Sequence, residues 1–225
     1  MLAFMPTRLV HIAMTMTPAN ERQLTVIRAE LARLVRYDDE SVVRDEWIRQ
    51  RYDGGYAATY MPARTAAVVT AWHEAGHIVA ALLTGARFSS ASIRQGTAGQ
   101  GRVHAIRTGS KDAFVIHAAG QIAERLRTWM MLEDDADLRK WLTAWRDDGG
   151  DAKHFRAALQ QRPELGEMTA WRYSEQLLTP ERLRIRHLAR ALLVHPRHLP
   201  YAVASALYQD GKPVSASSTT SAPAS

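Results

Sequence analysis

The chain has 225 residues, 46% of them hydrophobic and 23% charged, which is enough apolar material to bury a core and too much for a disordered protein. It contains no cysteine, so disulfides and thiolate metal sites are excluded, and any metal must be held by His, Asp or Glu. The net charge of +6 comes largely from arginines interleaved with acids, such as Arg125, Arg127, Arg139 and Arg146 beside Glu124, Asp137 and Asp147. That pattern reads as solvated helix surface, with no clear nucleic-acid face.

The apolar opening Met1-Leu2-Ala3-Phe4-Met5 is broken by Pro6 and Arg8 well before the ~18 residues that a membrane span requires. It shows no signal-peptide cleavage pattern, and no later segment qualifies as a span. The expectation is a soluble, cytoplasmic protein. Thr17-Pro18-Ala19-Asn20 starts a helix, on which Leu24, Ile27, Leu31 and Leu34 form the apolar stripe. A second short helix is expected from Ser41 to Tyr52, ended by Asp53-Gly54-Gly55, and the segment through Tyr60-Met61-Pro62 reads as a linker or lid.

A long helix should then begin between Pro62 and Thr65 and run to Leu83, where Thr84-Gly85 stops it. It carries His73-Glu74-Ala75-Gly76-His77. Residues four apart share a helix face, so His73 and His77 can offer two imidazoles to one metal ion, with Glu74 beside the same position. This is a zinc-hydrolase arrangement. A third protein ligand from elsewhere would leave the fourth corner open for water, and Glu74 would serve as general base. Two histidines and a glutamate on an otherwise apolar helix would be costly to bury without such a partner.

Beyond Gly85, Phe88 to Ile93 and Val103 to Ile106 look like two short strands joined through the glycines at 96, 99 and 101. From Ser110 a helix presents Ala113, Ile116, Ala119, Gly120, Ala123 and Leu126 on a narrow face, suited to close packing against the His-Glu helix. Glu133 to Trp145 gives a further short helix. The Asp147-Asp148-Gly149-Gly150-Asp151 turn caps the next, through Phe155, Ala158 and Leu159. Thr179-Pro180-Glu181 starts a helix carrying Leu183, Ile185, Leu188, Ala189 and Leu192. His195-Pro196 breaks it, and Tyr201 to Tyr208 makes a last helix. From Gly211 the Ser, Thr, Ala and Pro tail should be disordered. His104, His117, His187, His195 and His198 have no spacing that singles them out.

In this order the pieces resemble the zinc peptidase domain of the FtsH-type membrane proteases, and more closely the small stand-alone proteins that share its core. The resemblance spans roughly residues 63–208 and is carried by His-Glu-Ala-Gly-His at 73–77. Further support comes from the Gly-x-x-Ala-Glu signature at Gly120 to Glu124 and from Leu188-Ala189-Arg190-Ala191-Leu192-Leu193 near the end. It implies that His73 and His77 bind Zn2+ and that Glu74 is catalytic. Gly149-Gly150-Asp151 occupies the place of the family's aspartate ligand, so the resemblance implies Asp151 as the third, with Asp147, Asp148 and His154 as alternatives within reach. Glu124 is expected either to order a ligand histidine or to pair with an arginine. Unlike the family's membrane proteases, the chain has no Gly-x-x-x-x-Gly-Lys-Ser/Thr nucleotide loop.

The expected architecture is mainly α with a small β-hairpin or sheet (α+β), a zincin-like helical core. It divides into an N-terminal helical extension (1–60), a zinc peptidase-like domain (61–210) and a tail (211–225). The implied activity is ATP-independent hydrolysis of peptide bonds in a peptide or protein substrate. A non-catalytic zinc-binding interaction module and a repressor-cleaving regulatory protease are the rival readings.

Overall fold

Leu24, Ile27 and Leu31 recur at the period of a helix, and they form the buried side of α1 (Pro18–Leu34). The computed structural model describes residues 16–34, 63–93, 101–128, 134–145 and 150–211. The expected helix from Ser41 to Tyr52, the linker after it, the Gly96 to Gly99 turn and the tail from 212 onward lie outside the described residues.

The His-Glu helix is α2 (Ala63–Leu83), and it runs through the middle of the protein. Ala71, Ala75, Ile78, Val79, Ala80 and Ala81 are fully buried, pointing in every direction around the axis, because α2 has neighbours on several sides. Gly85 ends the helix with a positive φ of 72°, which lets Ala86 N–H return to Ala81 O at 2.8 Å. The chain then enters β1 (Ser90–Ile93), which pairs antiparallel with β2 (Gly101–His104) in the register Ser90↔His104 to Ile93↔Gly101.

Next comes α3 (Ala113–Thr128), whose small-residue face packs on α2 as the sequence suggests. The approach is close. A Cβ on Gly76 would stand 2.4 Å from Ala119 O and 2.6 Å from Ala123 Cβ, so only glycine permits this spacing of the two helices. Two short helices follow, α4 (Asp135–Ala144) and α5 (Gly150–Leu159), then α6 (Glu167–Leu178). Trp145, Phe155 and Trp171, one from each end of this segment and one from α5, meet ring against ring, with centroids 5.3 to 6.5 Å apart.

A 3₁₀ turn (Thr179–Glu181) leads into α7 (Arg182–Val194), which covers another side of α2. After it the chain forms β3 (Leu199–Pro200), paired antiparallel with β1 through Ala91↔Leu199, and continues directly into α8 (Tyr201–Asp210). The sheet order is β2-β1-β3, so β2 lies at an edge. α1 lies against α7 and α8, where Arg28 forks onto both oxygens of Asp210 at 2.8 and 2.9 Å. The mainly helical fold with a small sheet is thus the one expected. The sequence reading anticipated neither α6 nor β3. No helix among the described residues is long and apolar enough to cross a membrane.

Candidate metal centre

One helical turn separates His73 from His77 on α2, and their Nε2 atoms face each other at 3.0 Å. Asp151, in the first turn of α5, brings Oδ2 to 3.0 Å from His73 Nε2 and 3.3 Å from His77 Nε2. Donor atoms bound at about 2.0–2.1 Å to a tetrahedral ion stand about 3.3 Å apart, so the three have the separations of three corners of such a shell.

The outer nitrogens of the two rings decide which atoms face inward. His73 Nδ1–H donates to Glu124 Oε1 at 2.7 Å, and His77 Nδ1–H donates to the Ile116 carbonyl at 2.7 Å. Both partners sit on α3. With each Nδ1 protonated, a neutral ring presents a bare lone pair at Nε2. Two lone pairs and a carboxylate oxygen then converge on one point, an arrangement that repels itself unless a cation occupies it. His73, His77 and Asp151 could therefore hold a metal ion, and the donor set of two imidazoles and a carboxylate suits zinc.

Without a metal, a proton is the available cation. Burial pulls the His73 imidazole down, but hydrogen bonds to Asp151 and Glu124 outweigh it and hold the ring well above its ordinary range. Burial likewise opposes ionisation of Asp151, yet the adjacent His77 and His73 keep its carboxyl far below the usual range. Burial raises the carboxyl of Glu74 against the pull of both histidines. A raised carboxyl suits a group that must take up a proton and release it again.

Two glycines make room for these side chains. A Cβ on Gly101, the first residue of β2, would lie 2.4 Å from Glu74 Cγ and 2.5 Å from Oε1, so the strand rests directly on the carboxylate. A Cβ on Gly120 would lie 2.5 Å from the ring of His73. Glu74 is 5% exposed and Glu124 2%, which confines both carboxylates to one position.

Of the alternative third ligands, Asp147 and Asp148 lie outside the described residues. His154 does not join the donor group; it is exposed and stacks on His117. Burial and the neighbouring His77 push His117 down to about 4, so that ring is neutral at physiological pH. Sequence reasoning did not single out His117, Gly101 or the Ile116 carbonyl. The first has no telling spacing, the second reads as part of a turn, and a backbone carbonyl leaves no mark in a sequence.

None of the curated proteins matches the chain. A family model described as Peptidase M50B-like matches residues 56–132, a span that holds α2, the β1–β2 pair and α3, and with them His73, Glu74, His77 and Glu124. Asp151 lies beyond it. The match supports a metallopeptidase family of the M50 type and does not single out the FtsH type.

Proposed function

We propose that the protein is a zinc-dependent peptidase in which His73, His77 and Asp151 hold the metal and Glu74 is the general base. The observation that carries this reading is the convergence of three donor atoms, each within 3.3 Å of the others, with both outer ring nitrogens already engaged. Bound zinc would polarise the scissile carbonyl and acidify water at its open corner. Glu74 would take the water's proton and hand it to the departing amide nitrogen. Glu124 and Ile116 would fix the two rings, and Gly101 would keep the Glu74 carboxylate facing the reacting atoms.

Substrate would enter as an extended peptide along β2. This strand is the edge of the sheet, and its first residue touches Glu74, so a peptide added beside it would run past the general base. Substrates of that kind would be exposed loops, tails or unfolded proteins, whose backbone is free to lie extended along the edge. The order of elements, with the ligand helix, the strand pair, the Gly-x-x-Ala-Glu helix and a late aspartate, supports the FtsH-like layout within this reading.

The test is zinc content of the purified chain together with cleavage of unfolded casein, for the wild type and Glu74→Gln. One zinc per chain, cleavage by the wild type and none by the variant are expected. One zinc with no turnover by the wild type would sink the peptidase reading and leave a zinc-binding interaction module. Absence of zinc would sink both.

A further inference from the structure

Two histidines outside the donor group, His117 and His154, border it as a stacked pair, with ring centroids 5.2 Å apart and planes 29° from parallel. Helical spacing explains where they lie. On α3, positions 117, 120 and 124 share one stripe. Gly120 abuts the ring of His73 and Glu124 bonds to it, while Ile116, next to His117, holds His77. His117 therefore continues the ridge that supports the two ligand histidines. On α5, His154 follows Asp151 by three residues and shares its side of the helix.

The stack thus bridges α3 and α5 at the donor group, close enough that the charges of His77 and Asp151 act on His117. His117 is half-buried and His154 exposed, so the pair has protein behind it and solvent in front. Among the described residues no hydrogen bond engages either ring. An imidazole stacked on its neighbour, with its polar edge uncommitted among the described residues and a candidate metal centre alongside, is equipped to meet a bound carbonyl.

We propose that His117 donates a hydrogen bond to the carbonyl oxygen of the scissile peptide, and that His154 is a positioning residue that holds the plane of the His117 ring. This rests on the peptidase reading above. In that hydrolysis the water oxygen bonds to the carbonyl carbon, the carbonyl π pair moves onto its oxygen, and the water's proton goes to Glu74. The C–N bond then breaks as that proton reaches the nitrogen, leaving a carboxylic acid and an amine from one peptide and one water. The oxygen that receives the electron pair is where a fixed N–H has its largest effect, since it bonds more strongly to the charged state than to the starting carbonyl.

The experiment compares zinc-loaded full-length wild type with His117→Ala, His117→Gln and His154→Ala. Cleavage of an unfolded protein substrate is measured, and so is binding of a phosphinic peptide, which carries a tetrahedral oxyanion, against a thiol peptide, which reaches the metal without one. Loss of one such donor elsewhere costs about 10²–10³ in kcat. His117→Ala should lose turnover on that order with KM little changed, and should bind the phosphinic peptide more weakly but the thiol peptide as before. His117→Gln, which keeps an N–H donor, should recover part of the loss, and His154→Ala should lose less. Unchanged kcat and phosphinic affinity in His117→Ala, or loss of zinc from both His117 variants, would overturn the assignment while leaving the peptidase reading intact. A wild type that holds zinc but neither cleaves nor binds the phosphinic peptide would overturn both.

Discussion

The His73 Nδ1–H reaches Glu124 Oε1 across 2.7 Å, from one buried helix to another, and this single bond fixes which ring nitrogen faces the three-donor group. The other oxygen of Glu124, Oε2, is buried without a hydrogen-bond partner among the described residues. A carboxylate held in that condition is there for its charge as well as its shape. Glu124→Gln should lower zinc affinity by about 10–100-fold, the usual cost of removing the group behind a ligand histidine. A chelator-competition titration checks this; equal affinity in the two proteins would show that the bond has no part in holding metal.

The glycines at 101 and 120 separate two functions that a ligand substitution would confound. Alanine at 101 would drive its Cβ into Glu74, and β2 cannot retreat without breaking its register with β1. Gly101→Ala should therefore keep its zinc and lose about 10²-fold in turnover, the scale expected when a reacting group is displaced by about 1 Å. Gly120→Ala meets the His73 ring instead. It should lose zinc first, and activity with it. Metal analysis beside a cleavage assay distinguishes the two patterns.

Proton and metal compete for the same lone pairs. His73 in the metal-free protein is held well above its ordinary value by Asp151 and Glu124, so at neutral pH zinc must displace a proton. The His77 ring, lowered by burial but raised more by Asp151, also ends above its ordinary value, so calorimetry in buffers of differing ionisation enthalpy should detect about one to two protons released per zinc bound. The sign for stability follows from the direction of the shift. A folded-state value raised above the unfolded value of about 6.5 stabilises fully below 6.5 and loses that contribution as pH rises through the folded value. The metal-free protein should accordingly melt at lower temperature as pH rises above neutral, and the zinc-loaded protein should not.

His117 produces the opposite slope on the acid side. Its ring is held down to about 4 by burial and by His77, so its contribution is present above about 6.5 and is lost as pH falls from there through 4. His117→Gln should flatten the part of the stability profile that lies between those two values, as measured by denaturant unfolding at a series of pH values.

Arg156 lies on the same helix as Asp151, five residues further along α5. That guanidinium forks onto Glu167 at 3.0 and 3.2 Å and also donates to the Leu142 carbonyl at 3.1 Å, tying α5 to the start of α6 and the end of α4. Arg156→Met should destabilise the fold by about 1–3 kcal/mol and weaken zinc binding through the freed helix. A fall in melting temperature without any change in zinc affinity would confine Arg156 to a structural role.

Much of this was legible in the residue pattern, for reasons that can be located. The stripe of Leu24, Ile27 and Leu31, the Gly85 stop and the small-residue face of α3 are local signals, and each corresponds to an observed element. α6 escaped because its buried side is partly polar. Ser174 and Glu175 lie in the interior, bonded to the Ala170 carbonyl and to the Trp171 Nε1–H, and they interrupt the apolar period that would have announced a helix. β3 escaped because Leu199 and Pro200 are too short a run to read as a strand, and they acquire that form only by pairing with β1. At the site, the pairing of His73 with His77 is written in their spacing. The approach of Asp151 is not, since a carboxylate at a helix start is equally a cap, and its position came from the resemblance alone.

The aspartate that completes the donor group stands 78 residues after the first histidine. A growing polypeptide that has left the ribosome only as far as α3 would carry both imidazoles and the glutamate but lack the acidic partner. Under the proposed function, tight capture of an ion and the cutting power it would bring would wait until α5 has docked. The docking of α5 would then act as a safety catch, arming the centre only once synthesis has passed that helix.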